Sequence, residues 1–168
     1  YFRNENEVGE NFSDNRLEWT ITDIGILGIR GLVVPFFGTA SKSQVKYIVD
    51  ETGMQLMFVG NKEQLEKATW LLDHSGSLQK IVVFQEGTEI ADERCISWGN
   101  FMKLGEDPLF GAELEQLYDQ AQPFDLATIL YTSGTTGEPK GVMLGHENFM
   151  ECFDIHDNRL DITDKDVS

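Results

Sequence analysis

The chain has 168 residues, a length that suits one domain, and a chain of that size buries roughly 70% of the surface it exposes when unfolded. Thirteen basic residues against 29 acidic ones give a net charge of −16, so nucleic acids and anionic membrane surfaces are repelled by most of this surface. An anionic ligand must therefore be held by a strong local device. The two cysteines, Cys95 and Cys152, form no CxxC pair and have no histidine at zinc-finger spacing, so they read as reduced thiols. No apolar run is long enough to span a bilayer, and no signal-peptide layout opens the chain. A cytoplasmic protein is expected, with peripheral membrane attachment left open.

In chain order, residues 4–11 are polar and acidic where an α/β domain would want a buried opening strand. Residues 1–11 therefore fit poorly, and natural sequence is expected to be missing there. Arg16 to Arg30 reads as a helix with Leu17, Ile21, Ile24 and Leu27 apolar, ended by Gly31. The run 32–37 is of strand type, and Pro35 within it points to an edge position or a strand end. Ser41 with Gln44 and Asn61 with Gln64 have the spacing of capping boxes. They open helices whose apolar residues are Val45, Ile48, Val49 and then Leu65, Ala68, Leu72, with Gly53 and Gly76 as stops. Strands are expected at 54–59 and 78–84, with a short one at 95–98. Asp107-Pro108 starts a helix striped by Phe110, Leu114, Leu117, Tyr118 and Ala121. A buried strand at 126–131 is followed by a loop, and then by a helix from His146 to about Leu160. Strands separated by helices imply an α/β fold: a mainly parallel sheet with helices on both faces.

The loop carries the chemistry. It reads Tyr131-Thr132-Ser133-Gly134-Thr135-Thr136-Gly137-Glu138-Pro139-Lys140-Gly141. Gly134, Gly137 and Gly141 permit positive φ and close backbone approach to a ligand. Successive N–H groups in such a turn make a concave anion nest. Thr132, Ser133, Thr135 and Thr136 add hydroxyls, and Lys140 adds a cation. A loop at the end of a strand lies at the C-terminal edge of a sheet, where open α/β folds bind ligands. All of this suits a polyphosphate. The loop is neither a Walker A sequence nor a dinucleotide GxGxxG, and the alternative of a plain surface linker is disfavoured by the buried strand before it. Gly25, Gly28 and Gly31 read as packing or cap residues.

This stretch, with Val142-Met143-Leu144 after it, resembles the phosphate-loop signature of the adenylate-forming superfamily, which includes acyl-CoA synthetases, luciferases and peptide-synthetase adenylation domains. Asn15-Arg16-Leu17-Glu18-Trp19, Val34-Pro35-Phe36-Phe37, Tyr47-Ile48-Val49 and Ser97-Trp98 with Leu104-Gly105 are similar to the long-chain fatty acyl-CoA synthetase branch. The resemblance implies that residues 12–168 are part of the large N-terminal AMP-binding domain of such an enzyme, with the C-terminal domain and its catalytic lysine absent.

It further implies a two-step reaction. A carboxylate attacks the α-phosphate of ATP to give acyl-adenylate and pyrophosphate, and the thiol of coenzyme A then displaces AMP. Carried over by position, Ser133, Gly134, Thr135, Thr136, Gly137 and Lys140 would grip the departing phosphates, and Thr132 would bind with them near Mg2+. His146 is a candidate for the acyl pocket, against a local hydrogen-bonding role at a helix start. His74 reads as a partner of a helix dipole, His156 as a satisfied core residue on an apolar helical face, and Trp19 and Trp70 as packing aromatics. Fatty acid, ATP and coenzyme A are the partners implied for the parent, and no catalytic residue is assigned within the fragment. The isolated chain is expected to be inactive and to expose apolar surface. The alternatives are an adenylation domain that loads a carrier protein and a non-catalytic nucleotide-binding module.

Overall fold

The computed structural model describes residues 8–132 and 139–160. The chain opens with β1 (Val8–Phe12), α1 (Leu17–Gly28) and β2 (Leu32–Val33), followed by α2 (Lys42–Thr52) and β3 (Leu56–Val59). Then come α3 (Lys62–His74), β4 (Lys80–Val83), β5 (Cys95–Ser97), α4 (Trp98–Leu104) and α5 (Leu109–Gln120). A hairpin of β6 (Leu126–Thr132) and β7 (Lys140–Gly145) leads into α6 (His146–Arg159). The strands form one sheet in the order β5-β4-β3-β1-β2-β6-β7, parallel throughout except for the β6–β7 pair.

Strand periodicity divides the core into two layers. Met57 and Val59 of β3 and Ile81 and Val83 of β4 pack toward α2 and α3. Their neighbours Leu56, Phe58 and Val82 pack with Ile26 of α1 on the opposite face. An aromatic cluster fills that second face: Phe58 stacks on Phe84 at 5.8 Å, and the Phe101 ring meets Phe58 edge-on at 5.4 Å. Helices thus cover both faces, as the alternating pattern predicts.

Both capping boxes form. Gln44 N donates to Ser41 Oγ at 3.3 Å while Ser41 N donates to Gln44 Oε1 at 3.0 Å. Gln64 N donates to Asn61 Oδ1 at 3.0 Å, and Asn61 N donates to Gln64 Oε1 at 3.2 Å. Gly53 closes α2 in the left-handed conformation, φ 66°.

The structure adds to or departs from the sequence reading at several points. The opening strand that residues 4–11 lack by composition is formed by residues 8–12, and it is central: β1 pairs with β3 on one edge and β2 on the other. Gly9 O accepts from Val34 N and Phe12 O from Gly60 N, so backbone pairing on both sides holds a segment that does not read as buried. In α1 the inward residues are Thr22 and Ile26, while the apolar Leu17 and Ile24 are 73% and 64% exposed. Its stop is Arg30 at φ 60°, with Gly31 N reaching Ile26 O and Arg30 N reaching Leu27 O. Trp98 opens α4 instead of ending a strand. Residues 140–145, expected as loop, form β7. Pro35 marks a strand end, since β2 stops at Val33 and lies inside the sheet.

Candidate functional site

β6 runs parallel to β2, with Thr128 opposite Val33, so its last residue, Thr132, arrives at the C-terminal edge of the parallel sheet. β7 returns antiparallel, and the register pairs Thr132 with Lys140 and Tyr131 with Gly141. The hairpin therefore brings Thr132 and Lys140 together at the mouth of the loop, with a long 3.5 Å contact from Thr132 Oγ1 to Lys140 O. Both side chains are exposed, and among the described residues Lys140 has no ion pair. Ser133, Gly134, Thr135, Thr136 and Gly137 lie outside the described residues.

The expected role of Gly141 is corrected. Among the described residues positive φ occurs at Arg30, Gly53 and Gly87, so Gly141 is ordinary extended backbone. It is bare for a packing reason. A Cβ there would come within 2.6 Å of Ile129 Cγ2 and 3.2 Å of Tyr131 Cζ. The Tyr131 ring occupies that space, and its hydroxyl donates to Glu51 Oε2 of α2 at 2.5 Å. Glu51 Oε1 also accepts from Tyr47 Oη at 3.4 Å. Sequence reading missed Glu51, because its partner lies 80 residues away and no local spacing connects them.

His146 opens α6 at the other end of the hairpin, next to the Leu126–Gly145 pair. Six residues of strand separate that end from the loop, or about 20 Å at the usual rise, so His146 is not brought together with Thr132 and Lys140. Its backbone N–H donates to Asp125 O at 3.1 Å. The Asp125 carboxylate accepts from Arg30 Nε and from Gln122 N, each at 2.9 Å. The Arg30 guanidinium holds the Asp125 carboxyl below its usual range.

His74 and Trp70 have structural partners, as expected: the two rings stack at 4.1 Å, and His74 Nδ1 lies 2.7 Å from Trp70 O. Cys95 is buried and Cys152 exposed, both unbridged. His156, read as a core residue, instead lies exposed on α6, which buries none of its residues, with Nε2 4.0 Å from Cys152 Sγ. Among the described residues no group of His, Cys, Asp and Glu is arranged to hold a metal, and no helix is long and apolar enough to cross a membrane.

Solved structures share this fold. A red-emitting luciferase from Phrixothrix hirtus superposes with a TM-score of 0.75 at 21% identity, covering 96% of this chain and 38% of that one. A fatty acyl CoA synthetase of Mycobacterium tuberculosis superposes with a TM-score of 0.63 at 16% identity, covering 94% of this chain and 28% of that one. Residues 10–168 match the AMP-binding enzyme family, and the chain belongs to that family.

Among curated proteins, a long-chain-fatty-acid–CoA ligase of Xenopus laevis is 33% identical over 134 residues, which are 80% of this chain and 18% of that protein. Human long-chain-fatty-acid–CoA ligase 1 is 35% identical over 147 residues, 83% of this chain and 20% of that protein. The chain spans about a fifth of the length of these relatives.

Proposed function

We propose that the chain comes from an ATP-dependent fatty acyl-CoA ligase and supplies the loop that holds the pyrophosphate leaving group. The observation that carries this is the hairpin register. It sets Thr132 and Lys140 side by side at the C-terminal sheet edge, at the two ends of a segment rich in glycine and hydroxyl side chains. An exposed ammonium and a hydroxyl at that mouth are the donor types a polyphosphate needs, and they form a local cationic point in a chain of net charge −16.

ATP would supply the activated phosphoryl centre that a fatty acid carboxylate attacks. Lys140 and the loop hydroxyls would bind the β- and γ-phosphates, fix the leaving group in line and offset its growing charge. Thr132, with the phosphates, would stand near Mg2+. Coenzyme A would accept the acyl group as a thioester. His146, at the far end of the hairpin, would act in a separate region lined by acyl-chain contacts. The isolated chain would hold the loop without completing the reaction. The closeness of the long-chain-fatty-acid–CoA ligase relatives supports this choice of acid and acceptor.

The test is ATP–pyrophosphate exchange by the parent protein with carboxylic acids from acetate to palmitate. Exchange driven by long-chain acids and reduced at least 10-fold by Lys140→Ala is the expected result, on the scale of losing one charged contact to the leaving group (about 1.4 kcal/mol per factor of ten). No exchange with any acid by well-folded protein would overturn the reading.

A further inference from the structure

We propose that Glu51 is a positioning residue for the phosphate-binding loop, acting through Tyr131; the inference rests on the reading of that loop given above. Tyr131 is the penultimate residue of β6 before the chain enters the loop. Its ring lies across Gly141 of β7, where a Cβ would be 3.2 Å from Tyr131 Cζ, and its hydroxyl reaches Glu51 Oε2 at 2.5 Å. One side chain thus touches both strands at the loop mouth and ties them to α2.

The anchoring helix is capped at both ends and packed on the core. α2 begins in a complete capping box, ends at Gly53 in the left-handed conformation, and buries Val45, Ile48 and Val49. Each Glu51 oxygen accepts from a tyrosine, Oε1 from Tyr47 and Oε2 from Tyr131. The hairpin itself is unevenly covered: residues 140–143 are exposed, and in β6 Ala127 and Thr128 are buried while Leu126, Ile129 and Tyr131 are partly buried against the core. Packing holds one side of the Tyr131 ring, and a charge-assisted hydrogen bond from a packed helix fixes where its hydroxyl end sits. Thr132 and Lys140 are the next residues along each strand, so a shift of Tyr131 moves both groups proposed to meet the phosphates.

The experiment compares wild-type parent protein with Tyr131→Phe, Glu51→Gln, Glu51→Ala and the Glu51→Ala/Tyr131→Phe double variant. Hydrogen–deuterium exchange is followed in peptides covering residues 132–140 and, as an internal control, α3. MgATP affinity is measured by calorimetry. Faster exchange in the loop peptide is expected in Tyr131→Phe and Glu51→Ala, with α3 unchanged and MgATP binding roughly 3–10-fold weaker. The double variant should be no worse than the stronger single one, and Glu51→Gln, which keeps a neutral acceptor, should fall between wild type and Glu51→Ala. If Glu51→Ala also loosens α3, the Tyr131→Phe comparison decides. Loop exchange matching wild type in Tyr131→Phe, or additive effects in the double variant, would overturn the inference. Loosened loop exchange in a parent that activates no acid would overturn the proposed function and leave this inference standing.

Discussion

Arg30 and Asp125 are 95 residues apart and meet through Nε and Oδ2 at 2.9 Å, with only 11% and 16% of their side chains exposed. The contact joins the end of α1 to the base of the β6–β7 hairpin. Arg30 takes the left-handed conformation that glycine usually supplies at a helix stop, and the ion pair offsets the cost of placing a β-carbon there. Asp125 in turn receives Gln122 N on its carboxylate and His146 N on its carbonyl, so the same residue fixes the start of α6.

Asp125→Ala is therefore expected to destabilise the chain by about 2 kcal/mol, because it removes a charge-assisted hydrogen bond that is largely shielded from solvent. Arg30→Gly should cost less than Arg30→Ala, since glycine recovers the backbone conformation while both lose the ion pair. Urea denaturation of the three variants checks the order, and equal losses for Arg30→Gly and Arg30→Ala would show that the left-handed backbone contributes nothing.

Acid should weaken the fold through paired carboxylates. Hydrogen bonds from the Arg94 side chain hold Asp92 down to about 2, with help from the Arg94 backbone N–H. The Arg30 guanidinium lowers Asp125. A lowered folded-state pKa means that the contribution is complete above the unfolded value, about 3.9, and is lost as pH falls from there through the folded one. The stability difference between wild type and Asp92→Asn should be constant from pH 7 to 5 and shrink between about pH 4 and 2. A difference unchanged at pH 3 would contradict this.

Gly141→Ala should destabilise the hairpin by roughly 1–3 kcal/mol, the usual range for forcing atoms into a filled site. The new methyl would meet Ile129 Cγ2 at 2.6 Å, which a branched side chain on the facing strand cannot relieve by simple rotation of a distant tip. Pairing Gly141→Ala with Ile129→Val leaves that γ-methyl in place, whereas Ile129→Ala removes it. Rescue by Ile129→Ala alone, read by thermal melting, identifies the clash as the cause.

The isolated chain should self-associate as its concentration rises. Val142 and Met143 of β7 are exposed, as are Phe149, Met150, Phe153 and Ile155 of α6, which together leave an apolar surface on one hairpin strand and the helix that follows it. Light scattering coupled to size exclusion should show a mass increasing with load. Met143→Lys with Phe153→Lys should lower that mass at every load, and a constant monomer mass for the wild type would refute the expectation.

The sequence by itself determined the alternation of elements, the parallel sheet, both capping boxes and the site motif, because each depends on groups a few residues apart. Ser41 finds Gln44 within one helical turn, and an apolar run flanked by a glycine-rich loop declares a strand and its exit without outside help. Tertiary structure decided the rest. The face that α1 buries, the placement of residues 8–12 between β3 and β2, and the bareness of Gly141 all depend on partners from distant parts of the chain. Glu51 and Tyr131 belong to the same class. Each is an unremarkable surface residue in its own segment, and only the return of β6 to the sheet beside β2 sets one hydroxyl against one carboxylate.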